Sequence, residues 1–211
     1  MIFTPREAWA YIGGLSEPSK MPCYSYSIHA RNCKTGSKLA KIPGTVCSKC
    51  YGFRGHYPLP NVLKKQRHRI ISMSKPYWVS AMVTSIASYE SSGYFRFFDV
   101  GDVQNLSCLI KICEVCRQLP RIKFWLPTRE DKILKAYINA GYDFPSNLVI
   151  RFSATRFEER PTVELLRELN ILGSNVSKIK WNCPSYLQNN QCLSCRACWN
   201  KSRKIITYMY H

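Results

Sequence analysis

Acidic residues are scarce in this chain. Thirteen Asp and Glu stand against 31 Lys and Arg, a formal net charge of +18 over 211 residues. Such a shortage leaves two readings, a solvated basic surface or a polyanionic partner. Each Lys or Arg set against a phosphate releases counterions, so nucleic acid is the expected partner. Long apolar runs are lacking too: no stretch approaches the ~20 residues of a membrane span. Nothing resembles a lipid-facing amphipathic helix, so no membrane partner is expected. The N-terminal M-I-F-T-P-R-E-A-W-A lacks the basic start and apolar centre of a secretory signal, which makes cytosolic synthesis the expectation. No internal repeat or low-complexity tract is visible. The length suits one domain with a real core.

What is abundant is cysteine, eleven in all. A disulfide framework does not fit a reducing compartment, so clustered thiols are better explained as metal ligands. One set lies on the Gly/Lys-rich loop C-K-T-G-S-K-L-A-K-I-P-G-T-V-C-S-K-C: Cys33, Cys47 and Cys50. Three thiolates leave one coordination position open, where chemistry can occur. The second set is Cys183, Cys192, Cys195 and Cys198 in C-P-x7-C-x2-C-x2-C. Its triple spacing resembles the ligation of a four-iron cluster, with structural zinc as the alternative. Cys113 and Cys116 fall in a helical apolar pattern and read as core, as does Cys108. Cys23 stands open as a spare or fourth ligand to the first set. His29 and His56 flank the cysteine loop and are alternative ligands. His68 lies in a basic helix and reads as facing solvent or phosphate, and His211 ends the last expected strand.

Helix and strand signals alternate along the chain. Thr4-Pro5-Arg6-Glu7 is a capping box opening a helix that ends at Gly13-Gly14. Cys23 to Ile28 reads as a strand. Helices follow from Asn61 and from about Pro76, the latter with Ser74 as cap. Y-F-R-F-F-D-V-G-D is a strand with a polar glycine turn, and Asp102 is placed to cap the next helix. I-K-F-W-L is a strand closed by Pro127-Thr128-Arg129, with Thr128 and Asp131 starting a helix that ends at Gly141. Leu148 to Phe152 is a strand, Pro161 to Leu169 a helix, Lys178 to Trp181 a strand, and Lys204 to Tyr210 the last strand. The expected class is α/β, a partial (β/α)6 TIM-like barrel with a C-terminal cysteine-rich metal-binding segment. Residues 1–181 make the barrel-like core and 182–211 the cysteine cluster and last strand of the same domain. In parallel architectures functional groups gather after the strand ends. There the chain carries the cysteine loop, Asp99 to Asp102, Thr128-Arg129, Ser153 to Arg156, Asn182-Cys183 and His211.

The order strand, cysteine loop ending C-x-x-C-Tyr, helix, then a strand ending in Gly-acid resembles the radical S-adenosylmethionine (SAM) superfamily. That resemblance implies a [4Fe-4S] cluster on Cys33, Cys47 and Cys50 with SAM on its open iron, and an electron donor. Gly101-Asp102 would meet the SAM amine and Ser153 or Arg156 its ribose. Arg129 or Arg156 would pair with its carboxylate. Cys183, Cys192, Cys195 and Cys198 would hold an auxiliary cluster. Pro43-Gly44, Cys47-Ser48-Lys49-Cys50-Tyr51 and Phe97 to Asp102 also resemble a closer group, the cysteine-rich bacteriophage proteins of the gene-product-eighty-eight type. Cys33 and Cys47 stand farther apart than the common radical SAM spacing, and Gly-Gly-Glu is matched only in part. Together these imply a phage-type radical SAM-like enzyme acting on a nucleic-acid base in the (host) cytoplasm, with DNA hypermodification favoured. The alternative is a zinc-stabilised nucleic-acid-binding protein without catalysis.

Overall fold

The computed structural model describes residues 2–210. The reading of His211 falls outside them. The chain begins with helix α1 (Pro5–Ile12), fixed as expected by the Thr4/Glu7 capping box and closed by Gly13 at φ 79°. Strand β1 (Ser25–Tyr26) is short, and the cysteine loop after it contains a helix the sequence did not announce, α2 (Lys34–Leu39). Helices α3 (Pro60–Ser72) and α4 (Trp78–Tyr89) follow. Then come β2 (Tyr94–Phe97), α5 (Leu106–Gln118), β3 (Lys123–Thr128), α6 (Asp131–Asn139) and β4 (Leu148–Ser153). The chain continues with α7 (Val163–Glu168), β5 (Leu172–Ser177) and β6 (Ile205–Met209).

The six strands form one sheet in the order β1-β2-β3-β4-β5-β6, every neighbouring pair parallel. The sheet is open, since β1 and β6 do not pair. Crossovers between parallel strands are right-handed almost without exception, so a sequential order stacks the connecting helices on one face. The side-chain alternation bears this out. Phe95, Phe97, Phe124, Leu126, Leu148 and Ile150 point into the helix-side core, with Trp78, Met82, Ile86, Leu109, Ile112 and Tyr137. Burying each such side chain contributes roughly 1.5–3 kcal/mol. Cys108, Cys113 and Cys116 lie in this core, as expected. The other face carries Trp125 and Ile206 and is covered by Met21, Cys23, Cys183, Cys198 and Trp199.

Several expectations need correction. The fifth strand is not Lys178–Trp181 but Leu172–Ser177. The alternation K-I-K-W mimics a strand, yet Ile179 is 82% exposed. The Ser177 hydroxyl accepts from the N–H groups of Ile179 and Lys180, which turns the chain there. Asp102 does not cap α5; Asn105 does, through Cys108 N. Thr128 does not cap α6, which begins at Asp131 with Glu130 at the N-cap; its hydroxyl donates to Asp102 and accepts from Glu130 N. Ser74 does not cap α4 but bonds back to Ile71. Helix α3 starts at Pro60 rather than Asn61.

Candidate metal centres

The first centre is built on the loop that leaves β1 at the C-terminal edge of the sheet. Two anchors clamp it across the ends of β3 and β4. Glu130, buried at the start of α6, accepts from Thr35 N at 2.8 Å and Thr35 Oγ1 at 3.0 Å. Thr45 bridges Arg156, and Val46 N donates to Thr155 O at 2.9 Å. The Pro43-Gly44 turn lies beneath Arg156, whose Nη1 would be 3.6 Å from a Gly44 Cβ.

The clamp brings Cys33, Cys47 and Cys50 together. A Cβ on Gly36 would sit 3.5 Å from Cys47 Sγ, 3.7 Å from Cys33 Sγ and 3.0 Å from Cys33 Cβ. Glycine there keeps a cradle open between two thiols. Cys50 Sγ accepts from Gly52 N at 3.4 Å, and Gly52 itself has no room for a Cβ against Val100 and Ala30. Burial raises the Cys33 thiol well above its ordinary pKa, helped by Asp102, Cys50 and Cys47, with Arg129 opposing. Burial raises Cys47 too, and Arg129 is the strongest opposing charge. A bound cation is what would hold such thiols as thiolates.

Asp102 sits beside this centre but is itself bound. Its Oδ1 accepts from Thr128 Oγ1 at 2.6 Å and Val103 N at 2.8 Å, and its Oδ2 from Arg129 N at 3.0 Å. It therefore ties the end of β2 to the end of β3. Burial raises its carboxyl to about 6 against these hydrogen bonds. Gly101, at φ 99°, presses on the chain just after β1: a Cβ there would clash with Ile28. Arg129 rests its Nε and Nη2 on Ala154 O. Ser153 pairs with Ser174 on β5 at 3.2 Å.

The second centre lies on the face of the sheet away from the helices. Cys183, Cys192, Cys195 and Cys198 line one small cavity with Trp199 and Ile206. Cys23 belongs here and not with the first set: it packs in the same cluster, and Cys192 is among the charges that raise its thiol, after burial and Glu90. The Cys192 N–H donates to Lys20 O at 2.8 Å, which ties the two segments. Arg151, fully buried, fastens the segment to the sheet by donating to the carbonyls of Gly173, Ala197, Cys198, Asn200 and Arg203. Trp199 donates to Phe95 O at 2.9 Å.

Arg96 lies between the centres, 4.2 Å over the Trp125 ring. Burial works against its charge, but Tyr51 and Asp99 more than offset that and hold its pKa above the ordinary value. Asp99 accepts from Ser25 Oγ at 2.6 Å and Tyr57 OH at 2.8 Å, and its carbonyl accepts from Tyr51 OH. Arg96 Nε and Trp125 Nε1 are buried with no partner among the described residues. Two orphaned donors beside a set of thiols suit a ligand rich in acceptors. Glu130, Tyr57, Arg96 and Arg151 carried no functional signal in the sequence, whereas Asp99 stood at a strand end and Tyr51 beside C-x-x-C.

His29 caps the turn Ala30–Asn32 through Arg31 N and packs edge-on against Phe53. Burial, then Arg31 and Arg67, lower its pKa. His56 and His68 are exposed.

Among the described residues, no three His, Cys, Asp or Glu side chains are placed to share a single metal ion. Zinc would need its sulfurs about 3.8 Å apart, given Zn–S bonds of ~2.3 Å in a tetrahedron. A four-iron cluster spreads its thiolates more widely. No helix among the described residues is long and apolar enough to cross a membrane. A family model described as Gene product 88 matches residues 7–201. No curated protein and no solved structure matches the chain.

Proposed function

The chain belongs to the gene product 88 family, and on that premise we propose that it is a radical SAM-like iron–sulfur enzyme that modifies a nucleic-acid base, DNA before RNA. In this reading the sheet is a partial (β/α)6 barrel and the cysteine loop closes over its mouth. One observation carries it: Cys33 and Cys47 flank Gly36 at the C-terminal edge of a sequential parallel sheet, with Cys50 near enough to act on both of their thiols. The donor set and the glycine cradle fit a [4Fe-4S] cluster held by these three thiols. When bound, such a cluster supplies an electron and an open iron position for SAM.

The chain's own residues have definite tasks. Asp102, ionised above about pH 6, still has acceptor capacity on Oδ2, because a carboxylate oxygen can take more than the one bond from Arg129 N. It is suited to orient an ammonium. Arg129 and Arg156 flank the loop and are suited to a carboxylate. Ser153 ends β4, where a ribose hydroxyl would be met in this reading. The second thiol set would hold another cluster, with Arg96 and Trp125 donating to it. Zinc remains the alternative for that set, and a purely structural zinc protein is the rival reading. An electron donor is required from outside.

The test is anaerobic: purified protein with SAM and dithionite, assayed for 5′-deoxyadenosine. Formation that depends on Cys33, Cys47 and Cys50 supports the reading. A colourless protein containing only zinc overturns it.

A further inference from the structure

Beside the cysteine loop is a cavity of about 500 Å³, lined by Arg31, Ser37, Lys38, Ala40, Lys41 and Phe53. Three cations share one rim and no acid faces them. The region is depleted of acid in sequence as well: from Pro18 to Tyr89 there are 12 Lys and Arg and no Asp or Glu. Among the described residues the ion pairs are Arg117–Glu114 and Lys135–Glu168, both outside this region. A concave rim of unneutralised cations concentrates positive potential and draws in polyanions. Phe53 is exposed on the same rim, its ring braced by the edge of His29 at 6.1 Å between centroids. An exposed aromatic among cations is the arrangement that takes an unstacked base beside its phosphates.

We propose that this cavity is the docking groove for a single-stranded nucleic acid, with Arg31, Lys38 and Lys41 on successive phosphates and Phe53 stacked on a base. The proposal names the substrate strand of the enzyme reading above and rests on that reading for its purpose, though not for the binding itself. Helix α2 joins the two sites. Its Gly36 faces the sulfurs of Cys33 and Cys47, while its Ser37 and Lys38 line the groove. A helix is about 10 Å across, so a strand in the groove lies one helix width from the thiols. A base must leave its stack to reach a site of this kind, which favours a single strand over a duplex.

The experiment is fluorescence anisotropy on the intact protein with a fluorescein-labelled thymidine 20-mer, across a salt series. Three phosphate contacts predict that R31A/K38A/K41A lowers the slope of log affinity against log salt by about 2, at ~0.7 per contact. F53A is expected to weaken binding about five- to a hundredfold with the slope unchanged. A charge-matched control, R121A/K132A/K201A, is expected to keep wild-type affinity and slope. The single strand is expected to bind more tightly than the duplex, and thymidine monophosphate to compete poorly. Unchanged binding in the groove variant, equal loss in the control, or competition by the monophosphate at matching affinity would each overturn the proposal. Binding in this assay needs neither metal nor SAM. A zinc-only protein with the predicted salt slopes refutes the enzyme and keeps the groove. Deoxyadenosine formation with salt-insensitive binding does the reverse.

Discussion

The two cysteine regions are held in opposite ways. The C-terminal set borders a buried interface: Cys183 and Cys198 are wedged between Trp199, Ile206 and the strands, while Cys192 and Cys195 are half-buried. Arg151 knots that segment to the sheet with five hydrogen bonds to carbonyls. The N-terminal set hangs on a loop that is largely half-buried and whose hold is polar: Glu130 on Thr35, and Thr155 on Val46. Removing one region's anchor threatens folding; removing the other's threatens the placement of the thiols. The thiols themselves are alike in exposure: Cys47 is as buried as Cys183 and Cys198, while Cys33, Cys50, Cys192 and Cys195 are all half-buried. What separates the two regions is how each is anchored.

The comparison breaks most visibly at Arg151. R151A leaves five carbonyls without their charged donor, two of the bonds being fully buried, and is expected to cost about 5 kcal/mol. Thermal denaturation should show a fall in Tm of about 10 °C or more for a chain this long. C33A, by contrast, should move Tm by no more than a degree or two in metal-free protein. Equal losses in the two variants would erase the distinction between the regions.

Next in size is G101A, which tests how the first region is seated. The new Cβ would clash with Ile28 from a backbone at φ 99°. Strain and overpacking together predict a loss of about 3–4 kcal/mol, measurable by urea denaturation.

The pH response sharpens the same contrast. The folded-state pKa of Asp102 is raised to about 6 from 3.8. A raised carboxyl pKa means that the folded state binds the proton more tightly. The stability it contributes is full below about pH 4 and is lost as pH rises to about 6. The loss is up to about 3 kcal/mol for a shift of this size. In D102A that component should vanish from the difference between urea curves at pH 4 and pH 7. A wild-type difference matching that of D102A would remove Asp102 from the account.

The smallest expected effect is at Glu130. E130Q exchanges charge-assisted for neutral hydrogen bonds to Thr35, at a cost of about 1 kcal/mol. Amide exchange in Lys34–Leu39 should quicken while the β6 amides keep their protection.

The sequence carried the periodic parts of this fold well. The Thr4/Glu7 box, the aromatic strands β2 and β3, and the apolar stripe of α5 could each be read from local chemistry. Strand β5 could not, because L-G-S-N-V-S looks like a loop. Its Ser174 and Asn175 become strand residues only when Ser153 and Thr207 are there to bond them. Helix α2 was unreadable for a related reason, being six residues with a glycine, held by Glu130 from 95 positions away. Both cysteine sets were legible as spacings. Their membership was not: Cys23 joins the second set because β1 and the C-terminal segment meet on one face of the sheet. Asp102 stood out as a polar residue after a strand, but its bonds to Thr128 and Arg129 belong to the topology.

The most direct test of the central claim is the iron and acid-labile sulfide content of anaerobically purified protein, compared with C33A/C47A/C50A. The account predicts that the triple variant loses about four irons and four sulfides per chain and stays folded by circular dichroism. Equal iron in both proteins, or zinc alone in the wild type, would contradict it.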